Sequence, residues 1–237
     1  MNLLLLTSAD LLSPTTAQVC DYRAEHLRKI HRSSVGDQLR VGVVNGSMGT
    51  ATITSITDSA VTLDFDCSCS PPAPMPLTLV LALPRPQMLK RSLQTLATMG
   101  VKDVHLIGSA RVEKSFWSSP MLNGEEINRQ LILGLEQGID TVLPSIEFHK
   151  RFKPFVEDIL PTLCQGKNAW VAHPGNSTPC PRASVGPQLL VIGPEGGFLD
   201  YEVEKLTAAG CQQIQLGPRI LRVETALPVL LSRFYPH

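Results

Sequence analysis

The chain has 237 residues, 43% hydrophobic and only 5% aromatic, so one large core or two smaller ones must be filled by aliphatic side chains. Its 21 basic and 21 acidic residues cancel, which excludes a whole-protein pull towards nucleic acid or acidic membranes and confines any such site to a local patch. The cysteines, at 20, 67, 69, 164, 180 and 211, form no C-x-x-C pair and no zinc-ligand spacing with histidine; reduced thiols and no metal are expected.

The opening 'MNLLLLTSADLL' has no basic segment before its leucines, and its apolar run is too short for a signal peptide or a membrane span. It reads as a strand, and a soluble, cytoplasmic protein with no membrane partner is expected. Up to Phe65 the pattern is mostly short strands: 'QLRVGVV' and 'AVTLDF' alternate, and 'GTATITSI' is rich in β-branched residues. Turns fall at Asn45-Gly46 and Asp58-Ser59, and one helical segment covers roughly Ala24 to Ile30. This spacing predicts a small barrel over residues 1–66.

Four prolines lie in 'CSCSPPAPMP', so residues 67–76 are read as a linker. From residue 77 to 237 the texture changes. 'LTLVLALP' is a continuous apolar run, as suits a strand buried on both faces, and 'VKDVHLIG', 'KNAWVAHP', 'QLLVIGP' and 'CQQIQLGP' follow as strands. Helical periods fall at 'QMLKRSLQTLATMG', 'GEEINRQLILGLEQG', 'DYEVEKLTAAG' and 'VETALPVLLSRF'. Strands alternating with helices predict an α/β fold on a parallel sheet. His105, alone in its apolar strand, reads as a satisfied core residue.

Ligands of such sheets sit beyond the carboxyl ends of the strands. Two stretches lie there. In 'QLLVIGPEGGFL', Gly193, Gly196 and Gly197 let backbone approach a ligand, while Glu195 and the lack of a Walker lysine disfavour phosphate. In 'IQLGPRILRVETA', Gly217-Pro218 ends a strand, Ile220 and Leu221 offer an apolar pair, and Arg222 and Glu224 place a cation beside a carboxylate at a loop-helix junction. Thr225 or Glu224 is expected to open the last helix. A tight turn and an internal ion pair are the alternative readings of the two loops.

Together, 'IGPEGGF' and 'LGPRILRVETA' resemble the signature of the bacterial 16S rRNA uridine-N3 methyltransferases, a family of the SPOUT superfamily. The likeness covers most of the chain. 'EHLRKIHRSSVGDQL' is similar to that family's segment at Glu25, His26, Leu27, Arg32, Gly36 and Asp37, and Glu136-Gln137 with Pro144 falls at its spacing. Arg85, Thr95, Thr98 and Asp140 depart from its usual residues. The resemblance implies a PUA-like barrel, then a SPOUT domain with a C-terminal trefoil knot, in a homodimer acting on 16S rRNA in the small ribosomal subunit. It also implies that Gly193, Leu216, Gly217, Ile220 and Leu221 hold S-adenosylmethionine, bordered by Ala172 and His173, with Glu195, Gly196 and Gly197 in the same loop.

The apolar residues of the last helix (Leu227, Val229, Leu230, Leu231 and Phe234) exceed what one helix face is expected to bury, which also favours a dimer. Arg23, His26, Arg28, Lys29 and Arg32, with Arg85 of the second domain, form the basic surface expected to meet RNA phosphates. Arg222 is the expected catalytic cation, and Glu224 positions it or acts as base. Three other functions fit parts of the pattern: a non-catalytic RNA-binding protein of this fold, a ribose 2'-hydroxyl methyltransferase, and a nucleotide hydrolase using 'GPEGG'.

Overall fold

The computed structural model describes residues 2–175, 178–182 and 186–235. The chain forms two compact units, the first of Met1–Ala73 and Ile132–Leu143, the second of Pro74–Leu131 and Pro144–His237.

In the first unit β1 (Leu4–Leu6) and β2 (Thr16–Val19) precede α1 (Tyr22–Glu25), which runs on into a π-helical turn over His26–His31. Then come β3 (Gln38–Val43), β4 (Met48–Ile56) and β5 (Val61–Cys69). They form one mixed sheet in the order β1-β3-β4-β5-β2, a curled half-barrel with β1 and β2 at its edges. Alternation builds the core: Val61, Leu63 and Phe65 of β5 face inward with Ala51 and Ile53 of β4, and Leu27 packs against them. β5 continues to Cys69, because the prolines begin only at Pro71.

Residues 132–143 return to this unit through the β3–β4 turn. Asn45, at φ 59°, donates its amide to the Thr141 carbonyl at 2.8 Å, and its side-chain oxygen accepts from Leu143 N at 2.9 Å. Glu136, on the same returning segment, is buried and accepts from the Tyr22 hydroxyl at 3.2 Å; burial pushes its carboxyl up to about 7.

Arg23 does not belong to the basic surface expected of it. Its guanidinium is buried, paired bidentately with Asp10 at 2.7 and 2.9 Å and with Asp21 at 2.9 Å, and also donates to the Leu5 carbonyl. A fork whose donors all end on internal acceptors has none left for a phosphate. Asp21 caps α1 and Asp10 ends the short 3-10 turn Ser8–Asp10, so Arg23 fastens two local structures together.

The second unit holds β6 (Leu77–Ala82), α2 (Pro86–Thr98), β7 (Asp103–Ile107), α3 (Gly124–Gly138), β8 (Ser145–His149), α4 (Phe152–Pro154), α5 (Leu160–Cys164), β9 (Asn168–Ala172), β10 (Thr178–Pro179), β11 (Gln188–Ile192), α6 (Asp200–Ala208), β12 (Gln212–Gln215) and α7 (Val223–Phe234). From Ile132 onward α3 belongs to the first unit. Among the described residues the second unit's seven strands are all parallel, in the order β10-β12-β9-β11-β6-β7-β8. Every residue of β6 is buried, as its unbroken apolar run predicts for a strand between two neighbours.

β8 and β10 were not expected from the sequence. β8 is a half-exposed edge strand that lacks an apolar run, and β10 spans two residues. Helix α7 opens at Val223 with Arg222 at its N-cap, one residue before Glu224. It buries Leu227, Leu230, Leu231 and Phe234 within the chain, at the spacing of one helical stripe. Val229, the fifth apolar residue of the expected dimer face, is half-buried.

Candidate functional site

The carboxyl ends of β9, β11 and β12 open on a cavity of 350 Å³. Parallel pairing carries the three ends to one edge: Ala172 is the register partner of Ile192 and of Ile214. Ala172, His173, Gly193, Glu195, Gly196, Gly197, Leu216, Gly217, Ile220 and Leu221 all line this cavity, so the ten expected cofactor residues are brought together.

The loop after β11 is a built turn. Gly197, at φ +72°, donates its amide to the Pro194 carbonyl at 2.8 Å, a conformation that favours glycine. At Gly193 a Cβ would lie 3.1 Å from the Phe198 ring and 3.3 Å from the Phe198 amide, so the missing side chain makes room for Phe198 as well as for a ligand. Arg111 donates to the Gly196 carbonyl. Glu202, fully buried in the first turn of α6, accepts from the Leu199 amide at 2.9 Å and the Ala110 amide at 2.8 Å. Sequence reasoning missed Arg111, Phe198 and Glu202; the one local signal was an acidic residue where a helix begins.

The loop after β12 is open. Gly217, at φ +126°, has nothing within 4 Å of where a Cβ would stand. Ile220 is 83% exposed.

A second cavity, of 990 Å³, is lined by Arg85, Pro86, Met88, Glu113, Phe116, Glu195, Arg222 and Glu224. Glu195 stands in the walls of both cavities, and its carboxylate accepts from the Arg85 amide at 3.1 Å. The Arg222 side chain is 86% exposed, and its Nη1 stands 4.0 Å from Glu224 Oε1. The expected cation and carboxylate are thus together, in a loose pair free to engage a substrate.

The remaining basic residues divide. Arg85 is exposed in the second unit. In the first, Arg32 and Lys29 are exposed, Lys29 paired with Glu25 at 2.7 Å, while His26 and Arg28 are half-buried and Arg28 donates to the Asp58 carbonyl.

A parallel α/β sheet with a mainly apolar cavity beyond its carboxyl edge, where glycines expose the backbone, defines a protein that binds a small organic ligand. The family model described as RNA methyltransferase domain matches residues 71–235, and the chain belongs to that family. It is 29% identical over 211 residues to the ribosomal RNA small subunit methyltransferase E of Treponema pallidum, covering 87% of this chain and 79% of that one. With ribosomal RNA small subunit methyltransferase E 1 of Borreliella burgdorferi it shares 24% identity over 226 residues, 95% of this chain and 94% of the other. The crystal structure of a ribosomal RNA small subunit methyltransferase E from Neisseria gonorrhoeae, bound to S-adenosyl methionine, has the same fold: TM-score 0.75 at 19% identity, over 98% of this chain and 95% of that one.

Proposed function

We propose that the protein transfers the methyl group of S-adenosylmethionine to N3 of a uridine in 16S rRNA of the small ribosomal subunit. The observation that carries this reading is the pair of cavities sharing Glu195: one lined by backbone and aliphatic groups, the other by Arg222 and Glu224. The first suits a nucleoside. Gly193, Gly197 and Gly217 bring main chain to its wall, and Ile220 and Leu221 offer an apolar platform beside the Arg111, Arg219 and Glu195 side chains.

When bound, S-adenosylmethionine supplies an electrophilic methyl on a sulfonium, so the protein's task is largely positioning. Uracil N3 must lose its proton as the nitrogen–methyl bond forms and the sulfur–methyl bond breaks. The negative charge spreads onto the flanking carbonyl oxygens, where the Arg222 guanidinium stabilises it. Glu224 orients Arg222 across their 4.0 Å gap or takes the proton.

The reading includes the C-terminal trefoil knot, the homodimer and the cytoplasmic location that the resemblance implies. Among the described residues no helix is long and apolar enough to cross a membrane. The reading also assigns RNA phosphates to His26, Arg28, Lys29, Arg32 and Arg85, but not to the buried Arg23.

Calorimetry and a methylation assay test the proposal together. The wild-type protein should bind S-adenosylmethionine and place a methyl group on uridine N3 in small-subunit RNA. A modified nucleoside carrying the methyl on a ribose oxygen would overturn the assignment of the acceptor atom. Reversing Arg28, Lys29 and Arg32 to glutamate should weaken RNA binding and make its log–log salt slope shallower by about 2. An unchanged slope would remove the first unit from the RNA contact.

A further inference from the structure

Away from these cavities, β7 and the edge strand β8 bring three ligand-type side chains to one face of the sheet. His105 and Glu147 are register partners, and His149 follows Glu147 by two, so the pleat turns all three the same way. His105 Nδ1 lies 3.0 Å from His149 Nε2, and Glu147 Oε2 lies 3.6 Å from each of those nitrogens. The circle through these three atoms has a radius of about 2.0 Å, so an ion seated just above their plane lies about 2.1 Å from each, a bond length of zinc to an imidazole nitrogen or a carboxylate oxygen.

We propose that His105, Glu147 and His149 form a binding site for a zinc-type divalent transition-metal ion, with its fourth position open to water. Two imidazoles and one carboxylate select such an ion over magnesium or calcium, which take oxygen ligands. The surroundings match. Asp103 Oδ1 stands 3.3 Å from His105 Nε2, on the far side of the ring from the cluster. The buried Nε2 makes no hydrogen bond among the described residues, and Asp103 is placed to accept its proton once Nδ1 ligates an ion, as supporting carboxylates do at metal-bound histidines. Thr78 in turn donates to Asp103 at 2.6 Å. The Phe155 ring, 4.7 Å from that of His149 and 6.0 Å from that of His105, forms an apolar wall. Glu147, with 58% of its side chain exposed, leaves a path for the ion.

A shared proton between the two histidines is the competing account of the 3.0 Å contact. That proton satisfies one nitrogen lone pair. It leaves the Glu147 carboxylate 3.6 Å from the same two nitrogens, beyond hydrogen-bond distance of either. A cation satisfies all three atoms at once.

The test is titration of the chelator-stripped, full-length protein with Co²⁺, whose visible d–d bands report its ligands. One equivalent should bind saturably at micromolar concentration, without near-ultraviolet thiolate charge-transfer bands, and Zn²⁺ should displace it. Glu147→Gln, at an exposed side chain, and His149→Ala should each lower the affinity at least as much as Asp103→Asn, for which about 10- to 100-fold is expected. Cys164→Ser with Cys211→Ser, which removes a pair of neighbouring thiols, should leave the titration unchanged. Circular dichroism checks that each variant is folded. Failure of the folded wild-type protein to bind Co²⁺ or Zn²⁺ saturably would identify the cluster as a proton-sharing histidine pair. Binding undiminished in both Glu147→Gln and His149→Ala would place the ion elsewhere, and either result overturns the proposal.

Discussion

The two loops that frame the smaller cavity are built in opposite ways. The turn after β11 is braced from behind: Gly197 closes on Pro194, Arg111 holds the Gly196 carbonyl, and the buried Glu202 ties down the Leu199 and Ala110 amides. The loop after β12 leaves Ile220 at 83% and the Arg222 side chain at 86% exposure. One side of the cavity is finished before a ligand arrives. The other keeps an apolar residue and a cation in water until something covers them. Pre-organising one wall lowers the ordering cost of binding, while on the open wall that cost falls when a ligand arrives.

That contrast can be broken by experiment, and the largest effect should come from the open loop. Arg222→Ala should lower kcat about a hundredfold or more while S-adenosylmethionine affinity stays within about twofold, because in the proposed mechanism the guanidinium acts only as charge develops. A wild-type rate at saturating substrates would make Arg222 a surface residue. On the braced side the damage should be to stability. Glu202→Gln sets an amide NH₂ against a backbone N–H that now donates to carboxylate, at a cost of about 2 kcal/mol in urea unfolding. If the urea midpoint does not move, the brace is not what holds the turn.

Gly193→Val follows these two. Its side chain would press on Phe198 and the cavity at once, and calorimetry should show S-adenosylmethionine affinity reduced about tenfold or more. Unaltered affinity would mean that the ligand does not approach this backbone. The smallest effect is the most discriminating. Ile220→Ser should leave the melting temperature unchanged, since the side chain is already in water, and weaken cofactor binding about fivefold through lost apolar contact. A lower melting temperature with unaltered binding would show that Ile220 serves the fold instead.

Much of this molecule is legible in its sequence wherever an element announces its burial locally. The apolar run of β6 marks a strand covered on both faces, alternation marks β5, and the stripe from Val223 to Phe234 marks α7. The glycine and proline loops after β11 and β12 mark the cavity, because conformational freedom is a property of single residues, and all ten residues expected there do line it. Tertiary structure alone decided what depends on distant partners. Arg23 reads as one more charge in a basic run until Asp10 and Asp21 enclose it, and Glu136 shows in the sequence only as part of a motif with Gln137, its burial beside Tyr22 coming with the return of residues 132–143. The strand β8 is too exposed to show a period, and only its register against β7 sets Glu147 and His149 beside His105. Local pattern encodes which face of an element is buried; the pairing of segments dozens of residues apart is fixed by the free energy of the whole fold, which no short window of sequence contains.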